Sequence, residues 1–190
     1  MRRVTFAAVD ASPDHVDSVR RFGNKIYHGD ATHLDLLRAA KTEQAKLFVV
    51  CTDDVDASLA TVKLVPKHFP AVTVPARARN RTHLLKLREI GVDSPIRETF
   101  AGSVELSKLV LEGLGETSEQ IEKTLTTFVE HDLAMLERQQ AVFQHEAKLI
   151  ALSKTARAEL SSILREDAKA DCRSDQLAPE MQTHIEAART

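Results

Sequence analysis

Five consecutive apolar residues, Leu47 to Cys51, stop at Thr52-Asp53-Asp54, and no other stretch restricts the fold of this chain as much. Such a run, bounded by polar residues, reads as a parallel strand buried on both faces. The two acids that follow read as the cap of a helix bearing Val55, Leu59, Val62 and Val65. The same hand-over from strand to helix recurs along the chain. Val4 to Val9 form an almost continuous apolar run, and Ser12-Pro13-Asp14 supply an N-cap, a proline at the first helical position and an early acid. That helix carries Val16 and Val19, ends at Gly23 and passes into a second strand in "KIYHGD". Thr32 with Asp35 reads as a capping box before Leu34, Leu36 and Leu37. "AVTVPA" is followed by a helix opened by Asn80, with Leu84, Leu87 and Ile90, closed by Gly91, and by a last short strand near Val92. Alternating strands and helices pair in parallel through right-handed crossovers, so the fold class expected is α/β, a doubly wound parallel sheet. Pro75 marks its strand as irregular or close to an edge, and Pro66 kinks or ends the helix before it.

From Phe100 to Leu114 one more helix is expected, closed by Gly115. A helical tract then runs from about Ser118 to Asp167, its apolar stripe broken rather than heptad-strict, which predicts two helices or a bent one. The domain reading is 1–115 for the α/β part, 116–167 for a helical extension and 168–190 for a flexible tail. No apolar run reaches the roughly 18 residues of a membrane span, and Asp10 falls where a signal peptide would still be apolar, so a cytoplasmic chain is expected. A net charge of -2 and an aromatic content of 4% without Trp argue against nucleic acid as a partner. Cys51 lies in an apolar run, where packing is its expected role, and Cys172 in the tail, so no disulfide framework is indicated.

In an open α/β sheet, ligands bind beyond the carboxyl ends of the strands. Those ends carry Asp10, Asp30, Asp53, Asp54, Arg77 and Arg79. Taken singly, each Asp is a helix cap; taken together, they favour a nucleoside site, with Asp10 placed to accept ribose hydroxyls. The basic run Arg77, Arg79, Arg81, His83, Lys86 and Arg88 reads either as a solvated helix face or as an anion contact. His28 and His33 near Asp30 are too few for a metal site, and no nucleophile elbow, Walker loop, CxxC or HExxH is present. Neither a metal nor an enzymatic activity is expected.

The segments "VDASPDHVDSVRRFGNKIYHGDATHLDLLRAA", "CTDDVDASL", "FPAVTVPARARN", "LREIGVDSPIRETFAGS" and "LVLEGLG" resemble the cytosolic domain of Kef-type, glutathione-gated potassium efflux antiporters. Those domains form the regulator-of-potassium-conductance, or TrkA-N, group, and the likeness spans roughly residues 4 to 137. The resemblance implies a Rossmann-like domain that binds an adenine nucleotide, AMP or NAD(H), dimerises, and answers to glutathione. It would gate potassium and proton exchange in an attached membrane antiporter domain, at the inner face of the membrane. By that correspondence Asp30 faces the adenosine, Thr32 caps the next helix, Asp10 takes the ribose, and Thr52, Asp53 and Arg77 line the pocket. Arg97 in "IRETF" falls at a glutathione arginine, and Asp132 stands where the family has an asparagine contacting glutathione. The family's domain opens with a strand and a Gly-rich loop that would precede Val4, so nucleotide affinity is expected to be weakened. In the order 3-2-1-4-5-6 that strand sits mid-sheet. Its place is expected to be left as a gap or closed by pairing the Val4–Val9 strand directly with the Leu47–Thr52 strand. The alternative reading is a free-standing protein-interaction module with a vestigial nucleotide site.

Overall fold

The computed structural model of the chain describes residues 5–23 and 25–187, with side chains described to residue 166. Val4, the start of the first expected strand, and Cys172 as a side chain lie outside that description. The chain divides into two compact units between Ala101 and Gly102.

The first unit begins with β1 (Ala8–Asp10), α1 (Pro13–Arg20) and β2 (Ile26–His28). β1 and β2 pair in parallel, with Ala8 opposite Ile26 and Asp10 opposite His28. Ser12 Oγ accepts from the His15 N–H and Pro13 opens α1, so this helix starts where local chemistry demands. The expected capping box before α2 (Leu34–Ala39) is not formed: His33 is the N-cap and offers no side-chain hydrogen bond. The Thr32 N–H instead donates to Asp30 Oδ1 at 2.9 Å and its hydroxyl bonds the same carboxylate, closing a local turn ahead of the helix. Thr32 therefore does not cap α2.

A second parallel group follows. Phe48 N–H donates to Thr73 O and Val50 N–H to Pro75 O; Thr73 N–H returns to Lys46 O and Arg77 N–H to Val50 O. The donor that would lie between those last two belongs to Pro75, which has none, and the pairing breaks into isolated bridges at Leu47–Thr73 and Val50–Ala76. β3 (Arg77–Ala78) pairs in parallel with β4 (Ile96–Arg97). The last strand thus comes four residues after Val92, whose N–H closes α4 (Arg81–Glu89) by bonding Leu87 O. Gly91, at φ 91°, supplies the left-handed turn this closure needs. Among the described residues no direct pairing joins β1 to the Leu47–Val50 segment, so the sheet runs as two separate ladders.

α3 (Val55–His68) is capped by Asp54, whose Oδ1 accepts from the Ala57 N–H at 2.7 Å. Pro66 does not end it; the helix closes two residues later, with Phe69 N–H bonding Val65 O, because the proline falls in the last turn. Leu37 of α2, Val65 of α3, and Phe69 and Val72 just after it form a buried core cluster. Strand side chains alternate, so Val50 is buried on the covered face while Leu47 and Val49 are 57% and 60% exposed on the other. Cys51 shares their side and is exposed rather than packed. Ile96, opposite Arg77 on β4, is 69% exposed.

The second unit is helical. α5 (Phe100–Gly113) contributes no buried residue, and Gly115 at φ 90° turns the chain into α6 (Ser118–Val142). Thr117 and Gln120 form a reciprocal capping box there. α7 (Glu146–Ala187) follows after three residues, giving an antiparallel hairpin with Met135, Leu136 and Ala156 buried. Gln139 Nε2 donates to Ser153 Oγ at 3.1 Å, and Arg138 pairs with Glu159 at 2.8 Å. α7 continues past residue 167, so the expected extension boundary is not a helix end. No helix among the described residues is long and apolar enough to cross a membrane.

Candidate functional site

Two polar clusters form at the carboxyl ends of the strands, one on each ladder. On the first, the Gly29 N–H donates to Asp10 O at 2.9 Å and draws the ends of β1 and β2 together. Gly29 has φ 145°, and a Cβ there would meet Leu36 Cδ2 at 2.8 Å, so only glycine fits the turn. Asp10 Oδ1 accepts the Ser12 N–H at 2.7 Å while Oδ2 lies 3.4 Å from His15 Nδ1. Asp30 repeats the arrangement with the Thr32 N–H and with His33 Nε2 at 3.9 Å. The backbone hydrogen bond from Thr32 holds the Asp30 carboxyl below the usual carboxylate range, with the Thr32 hydroxyl and His33 adding to it against some desolvation. The Asp30 carboxylate is therefore an ionised acceptor, and both Asp10 and Asp30 sit on half-exposed turns.

The second cluster centres on Arg77. Its guanidinium donates to Asp53 Oδ1 at 2.6 Å, to Glu98 Oε1 at 2.7 Å and to the Cys51 carbonyl. Arg79 reaches the Asp53 carbonyl at 3.3 Å, and Thr52 lies half-buried between these anchors. Arg77 had been expected to line the pocket as a cation; the structure shows it already held by two carboxylates. Glu98 was not anticipated, although its place one residue past β4 puts it across the ladder from Arg77.

Beside this cluster, the Arg97 guanidinium stacks 3.7 Å from the Phe100 ring centroid. Burial, followed by repulsion from Arg81, lowers its proton affinity, and burial does the same to Arg81. His83, 1% exposed, accepts the Arg79 N–H on Nδ1 at 3.1 Å, which fixes it as a neutral ring. The basic run is thus neither a uniformly solvated face nor one continuous patch. Asp132 belongs to the second unit, 7% exposed on α6 on the side of Met135 and Leu136. Among the described residues no group of three or more His, Cys, Asp or Glu could hold a metal ion.

The sequence pattern of the TrkA-N domain matches residues 2–98, and that of the potassium efflux system KefB C-terminal domain matches residues 102–180. The glutathione-regulated potassium-efflux system protein KefC of Escherichia fergusonii is 36% identical over 165 residues, 86% of this chain and 26% of that protein. Its counterpart in Escherichia coli O139:H28 is 35% identical over 164 residues. The chain spans about a quarter of the length of these relatives. Among solved structures, the Shewanella denitrificans Kef CTD in AMP bound form matches with a TM-score of 0.60 and 31% identity, covering 72% of this chain and 97% of that one.

Proposed function

The chain belongs to the TrkA-N domain family, and from that premise we propose that it is the regulatory domain of a Kef-type potassium efflux system that senses adenine nucleotide at its strand ends. The observation that carries the reading is the pair of Asx turns at Asp10 and Asp30, brought side by side by the Gly29–Asp10 backbone bond. Each presents a half-exposed carboxyl group, the chemistry that accepts ribose hydroxyls and the exocyclic amine of adenine. Thr52 and Asp53 complete the pocket from the second ladder. Arg97 is the cation proposed for a glutathione carboxylate on the resemblance, its guanidinium stacked on the Phe100 ring at 3.7 Å. Asp132 is proposed as a further glutathione contact on the resemblance alone.

The partner proposed is the membrane antiporter portion of the same system, which would hold the domain at the inner face of the membrane and exchange potassium for protons. A homodimer is proposed through α5, whose Leu106, Leu109 and Val110, with Leu114 just past its end, recur at helical spacing and are all exposed.

Calorimetric titration of the chain with AMP tests the reading. Saturable binding that weakens about tenfold in Asp10→Asn, the loss of one charge-assisted hydrogen bond, is expected. Unchanged affinity in both Asp10→Asn and Asp30→Asn would remove the strand ends from the site and leave the free-standing interaction module as the better account.

A further inference from the structure

We infer that Arg77 is a positioning residue for the nucleotide pocket and not a phosphate contact, an inference that rests on the nucleotide reading above. Its backbone and side chain act on three successive segments at once. The Arg77 N–H donates to Val50 O inside the ladder. The guanidinium then takes the Cys51 carbonyl and Asp53 Oδ1 on one side and Glu98 Oε1 on the other, at 2.6 and 2.7 Å for the two carboxylates. A planar fork satisfies two such acceptors in fixed directions, which the point charge of a lysine does not.

The side chain that is held matters because of what lies between the anchors. Residues 51–54 form the turn from the second strand group into α3, and Thr52 and Asp53 are the residues of that turn assigned to the pocket by the nucleotide reading. Asp54 Oδ1 fastens its far end by capping α3 through the Ala57 N–H. Arg77 fastens its near end. A turn pinned at both ends presents the Thr52 and Asp53 backbone groups to a ligand in one arrangement, so little ordering entropy is lost on binding. With two carboxylates already neutralising it, the guanidinium offers little net positive charge to a phosphate. Its contribution therefore falls on the nucleoside, common to adenosine and AMP.

Three variants separate the roles: Arg77→Ala, Arg77→Lys and Glu98→Gln, each titrated in the intact chain with adenosine and with AMP. Positioning predicts that Arg77→Ala weakens both ligands by the same factor, roughly tenfold, that Glu98→Gln gives a smaller loss of the same pattern, and that Arg77→Lys rescues only part. Amide exchange at residues 52–54 without ligand is expected to speed up in Arg77→Ala, while that of the α6–α7 hairpin stays unchanged. A loss confined to AMP would make Arg77 a phosphate contact and overturn the proposal. So would unchanged affinity for both ligands together with unchanged exchange in the turn, even if the unsubstituted chain binds normally. Failure of the unsubstituted chain to bind either ligand would overturn the nucleotide reading itself, and this role with it.

Discussion

The α/β unit and the helical hairpin solve the same problem by different means. In the α/β unit, polar side chains at strand ends are fixed by backbone donors a few residues away, as Asp10, Asp30 and Asp54 are, or by a cation across the ladder, as Asp53 is. In the hairpin, side chains on facing helices set the register directly, through Gln139–Ser153 and Arg138–Glu159. The first arrangement holds carboxylates at chain turns through nearby backbone donors; the second pairs side chains across two helices. That difference explains why the nucleotide is assigned to the strand ends and not to the hairpin.

The largest way to break the comparison is in the core. Leu37→Ala, in the cluster with Val65, Phe69 and Val72, is expected to cost the α/β unit about 2–5 kcal/mol while the hairpin keeps its helical signal. A single transition in which both units melt together would show that they are one cooperative body. Next in size is Gly29→Ala, which forces a non-glycine residue to φ 145° against Leu36 and is expected to cost about 1–3 kcal/mol. Adding Leu36→Ala should recover only the steric part, and full recovery would deny the backbone strain.

Acid provides a third and smaller effect, confined to the α/β unit. Burial, then the nearby Lys86, depresses the His83 pKa below its ordinary 6.5. The unfolded chain therefore takes up a proton below about pH 6.5 that the folded chain refuses, and stability present above that pH is lost as pH falls. Denaturant midpoints at pH 7.5 and 5.5 should differ in the parent and converge in His83→Asn; equal midpoints in the parent would contradict this. Asp30, also depressed, adds a loss of the same sign only at lower pH, in the carboxylate range. The smallest effect is expected at Arg138→Ala, an exposed pair in which added salt should mask the difference from the parent. A large, salt-independent loss there would mean the hairpin depends on that contact.

Much of this was readable in advance where the causes are local. Ser12, Asp54 and Asn80 all cap the helices they were expected to cap, since a short polar side chain satisfies donors within three residues. The interruption at Pro75 follows from a missing N–H. What escaped the sequence depends on partners far along the chain or on competition between near ones. Arg77 meets Glu98 and Asp53 at separations of 21 and 24 residues, which only the parallel register reveals. Thr32 does not cap because its N–H and hydroxyl close a turn on Asp30 while His33 starts the helix, and the last strand comes later than expected because Val92 is spent on closing α4. The exposure of Leu47, Val49 and Cys51 contradicted the reading of a strand covered on both faces, since among the described residues only one face is packed.

The account stands on ligand chemistry residing at the strand ends of the α/β unit. Amide chemical shifts of the isotope-labelled chain, followed by NMR during titration with AMP, test this most directly. Saturating changes concentrated at residues 10–12, 29–32 and 51–54, with α6 and α7 silent, are the predicted result. Changes centred on the hairpin, or none at any residue up to millimolar AMP, would contradict it.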